Sequence, residues 1–107
     1  MGKIIYSHKL EYELNELVVI LYYKQYFGFK KDAIEYVQHI RDFIDTISTR
    51  PIKLCKSPKY GKYYARYDNK KSNMQYFITY DTMDEIYYIE DIISPKTKEY
   101  SFIISPK

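Results

Sequence analysis

The sequence predicts an α+β domain of order β-α-α-β-β-β, an antiparallel helical hairpin packed on one face of a mainly antiparallel sheet. Three observations predict it. Apolar residues recur at helical spacing between Leu10 and Ile47, in two stripes parted by the short link Phe27-Gly28-Phe29. Beyond Gly61, three strand-like segments follow one another across short separators rich in turn formers. A β-branched run, Lys3-Ile4-Ile5-Tyr6, precedes the first stripe and reads as a strand.

Each element has a local reason. Ser7 caps the first helix, its hydroxyl accepting from an orphan N–H of the first turn. Leu10, Leu14, Leu17, Val18 and Leu21 then share one face, while Glu11, Glu13, Asn15 and Glu16 look away. Gly28 stops this helix. The second helix runs from about Lys30 to about Ser48 on Ile34, Val37, Ile40, Ile44 and Ile47, and Arg50-Pro51 ends it. A link of three residues permits only an antiparallel hairpin. Pro51 to Lys59 reads as a basic loop. The meander comprises residues 62–68, 74–81 and 85–93, and Ser94-Pro95-Lys96 closes it. A tail over about 95–107 holds one apolar cluster, Tyr100 to Ile104.

The chain of 107 residues forms a single domain, 1–107, large enough to bury a core without metal or disulfide. A hydrophobic content of 46% with 19% aromatics excludes intrinsic disorder. The longest apolar run, Leu17 to Tyr23, is seven residues, so no bilayer span and no membrane partner are expected. No basic-then-apolar leader opens the sequence, and Tyr6 stands where a myristoylation signal needs Ser or Thr. The lone cysteine, Cys55, permits no internal disulfide, which points to a reducing, cytoplasmic setting.

Charge and aromatics narrow the partners. Residues 50–75 carry eight basic groups (Arg50, Lys53, Lys56, Lys59, Lys62, Arg66, Lys70, Lys71) against one acid, Asp68. Both flanking segments are net acidic, so the positive charge is local. Fifteen tyrosines exceed what a core this size hides with every hydroxyl partnered, so several belong on the surface. Tyr63, Tyr64 and Tyr67 interleave with Lys62 and Arg66, a mixture suited to base stacking and phosphate neutralisation. Alternation puts Tyr63, Ala65 and Tyr67 towards the helices and leaves Tyr64 and Arg66 outside, with Tyr64 the preferred exposed aromatic. The nucleic-acid-binding candidates are therefore Lys53, Lys56, Lys59, Lys62, Tyr64, Arg66, Lys70 and Lys71.

Ile4-Ile5-Tyr6-Ser7 entering a helix, Gly61-Lys62-Tyr63-Tyr64-Ala65-Arg66-Tyr67 opening the meander, Met74 to Asp81, and Ile89-Glu90-Asp91-Ile92-Ile93 together resemble the RelE/ParE superfamily of toxins. The resemblance runs from about Lys3 to Tyr100. It implies the toxin of a type II toxin–antitoxin module, of the kind associated with plasmid stabilization. RelE-like members cleave messenger RNA in the ribosome without a metal, and ParE-like members poison DNA gyrase. It further implies a cognate antitoxin as partner, in a hetero-oligomer or beside a homodimer, and no cofactor.

Metal-free RNA cleavage uses the neighbouring 2′-hydroxyl as nucleophile. It needs a base for that proton, a cation for the pentavalent phosphorane and an acid for the leaving 5′-oxygen. Arg66 is the best cation on the sequence, since a strand arginine presents a fork that matches phosphate. RelE-like nucleases carry a functional arginine on this strand, so the resemblance points to the same residue. Lys62 and Tyr80 complete the catalytic candidates as proton-transfer groups. RNA-cleaving members tend to carry Arg, His or Tyr near the end of the last strand, where this sequence has Glu90-Asp91-Ile92-Ile93-Ser94. That departure keeps the non-enzymatic alternatives open: a gyrase inhibitor, or an inert relative that still binds an antitoxin. Glu90 and Asp91, adjacent on a regular strand, would point to opposite faces and form no carboxylate pair.

The remaining features read plainly. His8 and His39 have no cysteine or acid cluster at ligand spacing, so no metal is expected. Cys55 lacks a Cys-His-Asn arrangement. Ser-Pro-Lys at Ser57, Ser94 and Ser105 reads as a turn that stops a strand. Val19, Ile20, Tyr22 and Tyr23 flank the core face of the first helix, and with the tail Tyr100–Ile104 they are candidate antitoxin contacts.

Overall fold

A computed structural model describes residues 2–23, 28–69 and 74–104. The order is β1 (Lys3–Tyr6), α1 (His8–Tyr23), α2 (Lys30–Asp45), β2 (Lys53–Leu54), β3 (Tyr63–Asn69), β4 (Met74–Met83) and β5 (Ile86–Ile93). One five-stranded sheet runs β1-β5-β4-β3-β2. β1 lies parallel to β5, and every other pair is antiparallel. This is the α+β arrangement expected, with one strand more. β2 is only two residues long and sits in the stretch read as a basic loop, where Lys53 pairs Tyr64 and Leu54 pairs Tyr63.

The first helix begins as its cap dictates: the Leu10 N–H donates to Ser7 Oγ at 2.9 Å. Ser7 also ties the helix to the sheet, donating its hydroxyl to the Glu90 carbonyl at 2.8 Å. Leu10, Leu14 and Leu21 are buried, with Leu17 and Val18 half-buried beside them. The approach to Gly28 includes residues 24–27, which lie outside the described residues. In α2 the buried stripe is Ala33, Tyr36, Val37, Ile40 and Ile44, continued by Ile47. Ile34, expected in the core, is instead 51% exposed. Ala33 takes its place one residue earlier and Tyr36 widens the stripe, while Val37, Ile40, Ile44 and Ile47 are buried as expected. The helix also ends earlier than expected, at Asp45. Thr46 Oγ1 donates to the Phe43 carbonyl at 3.0 Å, and the chain tightens into a 3₁₀ turn over Ile47–Thr49.

Both helices pack on the sheet face formed by Ala65, Tyr76, Ile78, Tyr80 and Ile89. The opposite face is covered as well. The tail makes a single π-helical turn, Tyr100–Ile104, whose Ile103 and Ile104 pack on Tyr64, Phe77 and Ile93. The Lys56 N–H anchors it by donating to the Ile103 carbonyl at 2.7 Å. The tail therefore builds a second small core with the sheet, covering its own apolar residues within the chain. Ser94-Pro95-Lys96 forms a turn as read, with the Thr97 N–H on the Ser94 carbonyl at 3.0 Å. The third such triplet, at Ser105, lies outside the described residues.

Two backbone features shape the sheet. Gly61 has φ of +119°, and a Cβ there would lie 2.9 Å from the Tyr80 backbone. The β4–β5 ladder shifts register between Thr79 and Tyr80, which pair with Asp91 and Ile89 respectively, leaving Glu90 bulged.

Candidate nucleic-acid interface

β3 is longer than the strand that borders it. β2 covers only Tyr63 and Tyr64, so from Ala65 onward the outer edge of β3 has no neighbouring strand among the described residues. Space opens on both sides of that edge. On the helix side a cleft of about 640 Å³ is lined by His39, Asp42, Phe43 and Thr46 of α2 and its C-cap, with Arg50, Arg66, Tyr67 and Asp68. The first four recur at i, i+3, i+4 and i+7, one helical face turned to the strand edge. On the tail side a cleft of about 490 Å³ adds Lys53, Tyr64, Gln75, Phe77 and Tyr100 to Arg50, Arg66 and Asp68.

The two arginines shared by both clefts are held in place. Asp68 Oδ2 accepts from Arg66 Nε at 3.1 Å, which leaves the terminal nitrogens of the fork available. The Arg50 guanidinium stacks over the Phe43 ring at 4.5 Å and donates to Thr46 Oγ1 at 3.0 Å. Arg50, Arg66 and Lys53 line the tail-side cleft together with Asp68, and the two guanidinium forks are donors of the bidentate kind that phosphate matches. Sequence reading counts Arg50 in the basic segment without singling it out, and it misses His39, Gln75 and Tyr100. The α2 stripe is the legible signal for His39; Tyr100 and Gln75 come to the cleft only through the tail's packing.

The other expected site residues do not gather here. Lys62 precedes β3, four residues and about 13 Å of strand from Arg66. It lines a separate cleft of about 360 Å³ with Tyr63, Asp81, Met83, Tyr88 and Glu90. Tyr80 is 0% exposed, in the core under the helices, and burial pushes its hydroxyl up to about 12. It cannot touch a substrate, so the grouping of Arg66, Lys62 and Tyr80 is corrected. Tyr64 is also corrected, since the tail buries it to 8% exposure. Its face of the strand is the one expected, but the sequence pattern does not show that the face has a cover. Lys56 Nζ lies 3.5 Å from the Ser101 carbonyl and Lys59 Nζ 5.3 Å over the Tyr60 ring, both away from Arg66's clefts. Lys70 and Lys71 lie outside the described residues. The basic segment is thus dispersed, and its arginines converge.

The acids of the last strand face elsewhere. Ile89 and Ile92 both belong to the helix-side core, so the bulge puts Glu90 and Asp91 together on the other side. The expectation of opposite faces fails because the extra residue breaks the alternation. Asp91 is 1% exposed and pairs with Lys9 at 2.7 Å. β5 is two strands, about 10 Å, from β3, so these acids do not line the arginine clefts. Burial pushes the Cys55 thiol up to about 11, which makes it a poor nucleophile. Among the described residues no group of three or more His, Cys, Asp or Glu is placed to hold a metal ion. Among them, too, no helix is long and apolar enough to cross a membrane.

Fold and site together define an α+β domain with two arginine-lined clefts flanking the β3 edge, of which the tail-side one is net positive. Compared with known proteins, the chain matches no family model, no curated protein and no solved structure.

Proposed function

We propose that the chain is the toxin of a RelE/ParE-like type II toxin–antitoxin module, acting in the cytoplasm on messenger RNA at the ribosome by metal-independent cleavage. The observation that carries this reading is the convergence of Arg50 and Arg66, each held by a neighbour, on an open strand edge. Bound there, a backbone phosphate receives two guanidinium forks, and charge developing on the phosphorane meets fixed cations. Tyr100 lines the same space and offers a ring to an unstacked base, while the Phe43 ring carries the Arg50 guanidinium. The antitoxin docks on the outer groove of the hairpin, a cleft of about 350 Å³ lined by Val18, Val19, Ile34 and Val37, flanked by Lys30 and Arg41. Val19, Ile20 and Tyr23 are 42%, 44% and 74% exposed on α1, an apolar surface worth roughly 1.5–3 kcal/mol per large side chain covered.

A second reading, a gyrase inhibitor or an inert antitoxin-binding relative, is favoured by one observation. Neither Lys62 nor Tyr80 reaches the arginines, and the last strand brings only Glu90 and Asp91, facing elsewhere. Expression of the chain alone separates the readings. Growth arrest with message cleavage on translating ribosomes, relieved by Arg66→Ala, supports the nuclease. Inhibition of gyrase supercoiling without cleavage supports the second reading.

A further inference from the structure

The cleft supplies a fixed cation for the phosphorane but, with Lys62 and Tyr80 removed, lacks the base that metal-free cleavage requires. We infer that His39 is that base, a catalytic residue taking the proton from the 2′-hydroxyl of a nucleotide whose phosphate lies on Arg66. The inference rests on the ribonuclease reading of the cleft.

Three observations carry it. His39 lines the same cleft as Arg66 and Arg50, and His8, at the start of α1, does not. The acids of that cleft are engaged. Asp68 accepts from Arg66 at 3.1 Å, and Asp42 accepts from the Gln38 amide at 3.1 Å. His39 is exposed and, among the described residues, has no hydrogen-bond partner, so its ring nitrogens are open to a substrate. Of the groups facing the cleft, the Arg50 and Arg66 guanidinium groups carry donors only, whereas an imidazole offers an acceptor nitrogen that can take a proton.

The step balances without any further reagent. The imidazole takes the 2′-O–H proton as the 2′-oxygen forms a bond to phosphorus. The P–O5′ bond breaks, and the leaving 5′-oxygen takes a proton from water. The resulting hydroxide is neutralised by the imidazolium, which returns to its starting state. The products are a 2′,3′-cyclic phosphate and a 5′-hydroxyl. A nucleotide lacking the 2′-hydroxyl cannot react.

The test uses the full chain with translating ribosomes carrying an end-labelled message, comparing wild type, His39→Ala, His39→Gln and Arg66→Ala. Binding of an RNA oligonucleotide and circular dichroism are measured in parallel. The expected result is that both His39 variants fold and bind RNA as wild type does but cleave about 10²–10⁴-fold more slowly. Added imidazole restores part of the rate of His39→Ala, and wild-type products end in a cyclic phosphate. A His39→Ala protein that cleaves at the wild-type rate overturns the role of His39 and leaves the nuclease reading standing. A wild-type protein that cleaves nothing overturns both.

Discussion

Lys9 and Asp91 meet where α1 leaves the sheet, the ammonium 2.7 Å from a carboxylate that is only 1% exposed. The same ammonium reaches Glu13 at 3.2 Å and lies 4.5 Å over the Tyr60 ring, while Tyr60 donates to Glu99 at 2.9 Å. One lysine therefore links the first helix, the β5 bulge and the chain that carries the tail. Asp91 Oδ1 also accepts the Ile92 N–H at 2.8 Å, fixing the carboxylate inside the bulge.

Removing the cation should cost more than removing the pair. Lys9→Met leaves a buried carboxylate facing no positive charge, and a loss of about 2 kcal/mol is expected. That is below the ~3–5 kcal/mol of a fully enclosed pair because Lys9 is itself 44% exposed. Adding Asp91→Asn should recover more than half of it. Urea midpoints of the two single variants and the double variant measure this. A double variant no more stable than Lys9→Met would show that the carboxylate's isolation is not the source of the loss.

Glu13 gives the cluster a pH dependence of definite sign. Burial, then the neighbouring Asp91, pushes its carboxyl up to about 7 from an ordinary 4.5. The folded chain thus holds a proton that the unfolded chain has released, so Glu13's contribution is complete below about pH 4.5 and lost as pH rises through about 7. Glu13→Gln should flatten stability over that window and raise it above pH 7. Glu13 is a third exposed and screened by solvent, so the gain should stay within about 1 kcal/mol. Thermal melts at pH 5 and pH 8 compare the two proteins, and an unchanged difference between those pH values would count against the assignment.

The β4–β5 turn carries avoidable strain. Asp84 and Glu85 have φ of 54° and 64°, the left-handed pair a two-residue hairpin demands, and Glu85 is a poor occupant. Glu85→Gly should stabilise the fold by about 1 kcal/mol. Gly61→Ala should do the reverse by about 1–3 kcal/mol, since φ is +119° and Tyr80's backbone blocks a Cβ. Chemical denaturation of both variants checks the opposite signs.

The helices and the meander were legible because the residues facing the main core follow simple periods: 3.6 along Leu10, Leu14 and Leu21, and 2 along Tyr76, Ile78 and Tyr80. What was not legible depends on events without a period. The bulge at Glu90 redirects one residue and so brings two acids to one side. The tail covers Tyr64 from about forty residues further along the chain, a meeting that no local pattern announces. Of the site, Arg66 was legible as a strand arginine in a basic stretch. Arg50 was not, because its place is set by the ring of Phe43 and the hydroxyl of Thr46 at a helix end that tightens early.

The second core should be essential to the site as well as to the fold. Ile103 is 0% exposed against Tyr64, Phe77 and Ile93, and Ile103→Ala should cost about 2–4 kcal/mol. Tyr100, on the same turn, packs its ring 5.2 Å from that of Phe77 and lines the tail-side cleft. Ile103→Ala should therefore weaken RNA binding under conditions where the protein remains folded by circular dichroism. Equal binding by the folded variant would show that the tail's position does not shape the interface.

Salt dependence distinguishes the arginine cleft from the dispersed basic segment. Each RNA phosphate that the protein no longer neutralises should flatten the dependence of log K on log salt by about 0.7 for a single strand. Arg50→Ala and Arg66→Ala should each remove about that much, and Lys53→Ala as much or less, since it lines only the tail-side cleft. Lys62→Ala should change the slope by nothing measurable, because Lys62 stands at the far end of β3 in a cleft it shares with Asp81 and Glu90. Composition alone treats Lys62 and Arg50 alike, as two of eight basic groups within residues 50–75. RNA affinities for the four variants, measured across about 50–200 mM salt, decide between them. A Lys62→Ala slope as flat as that of Arg50→Ala would mean the RNA follows the charge of the whole segment, and the β3 edge would lose its claim to be the interface.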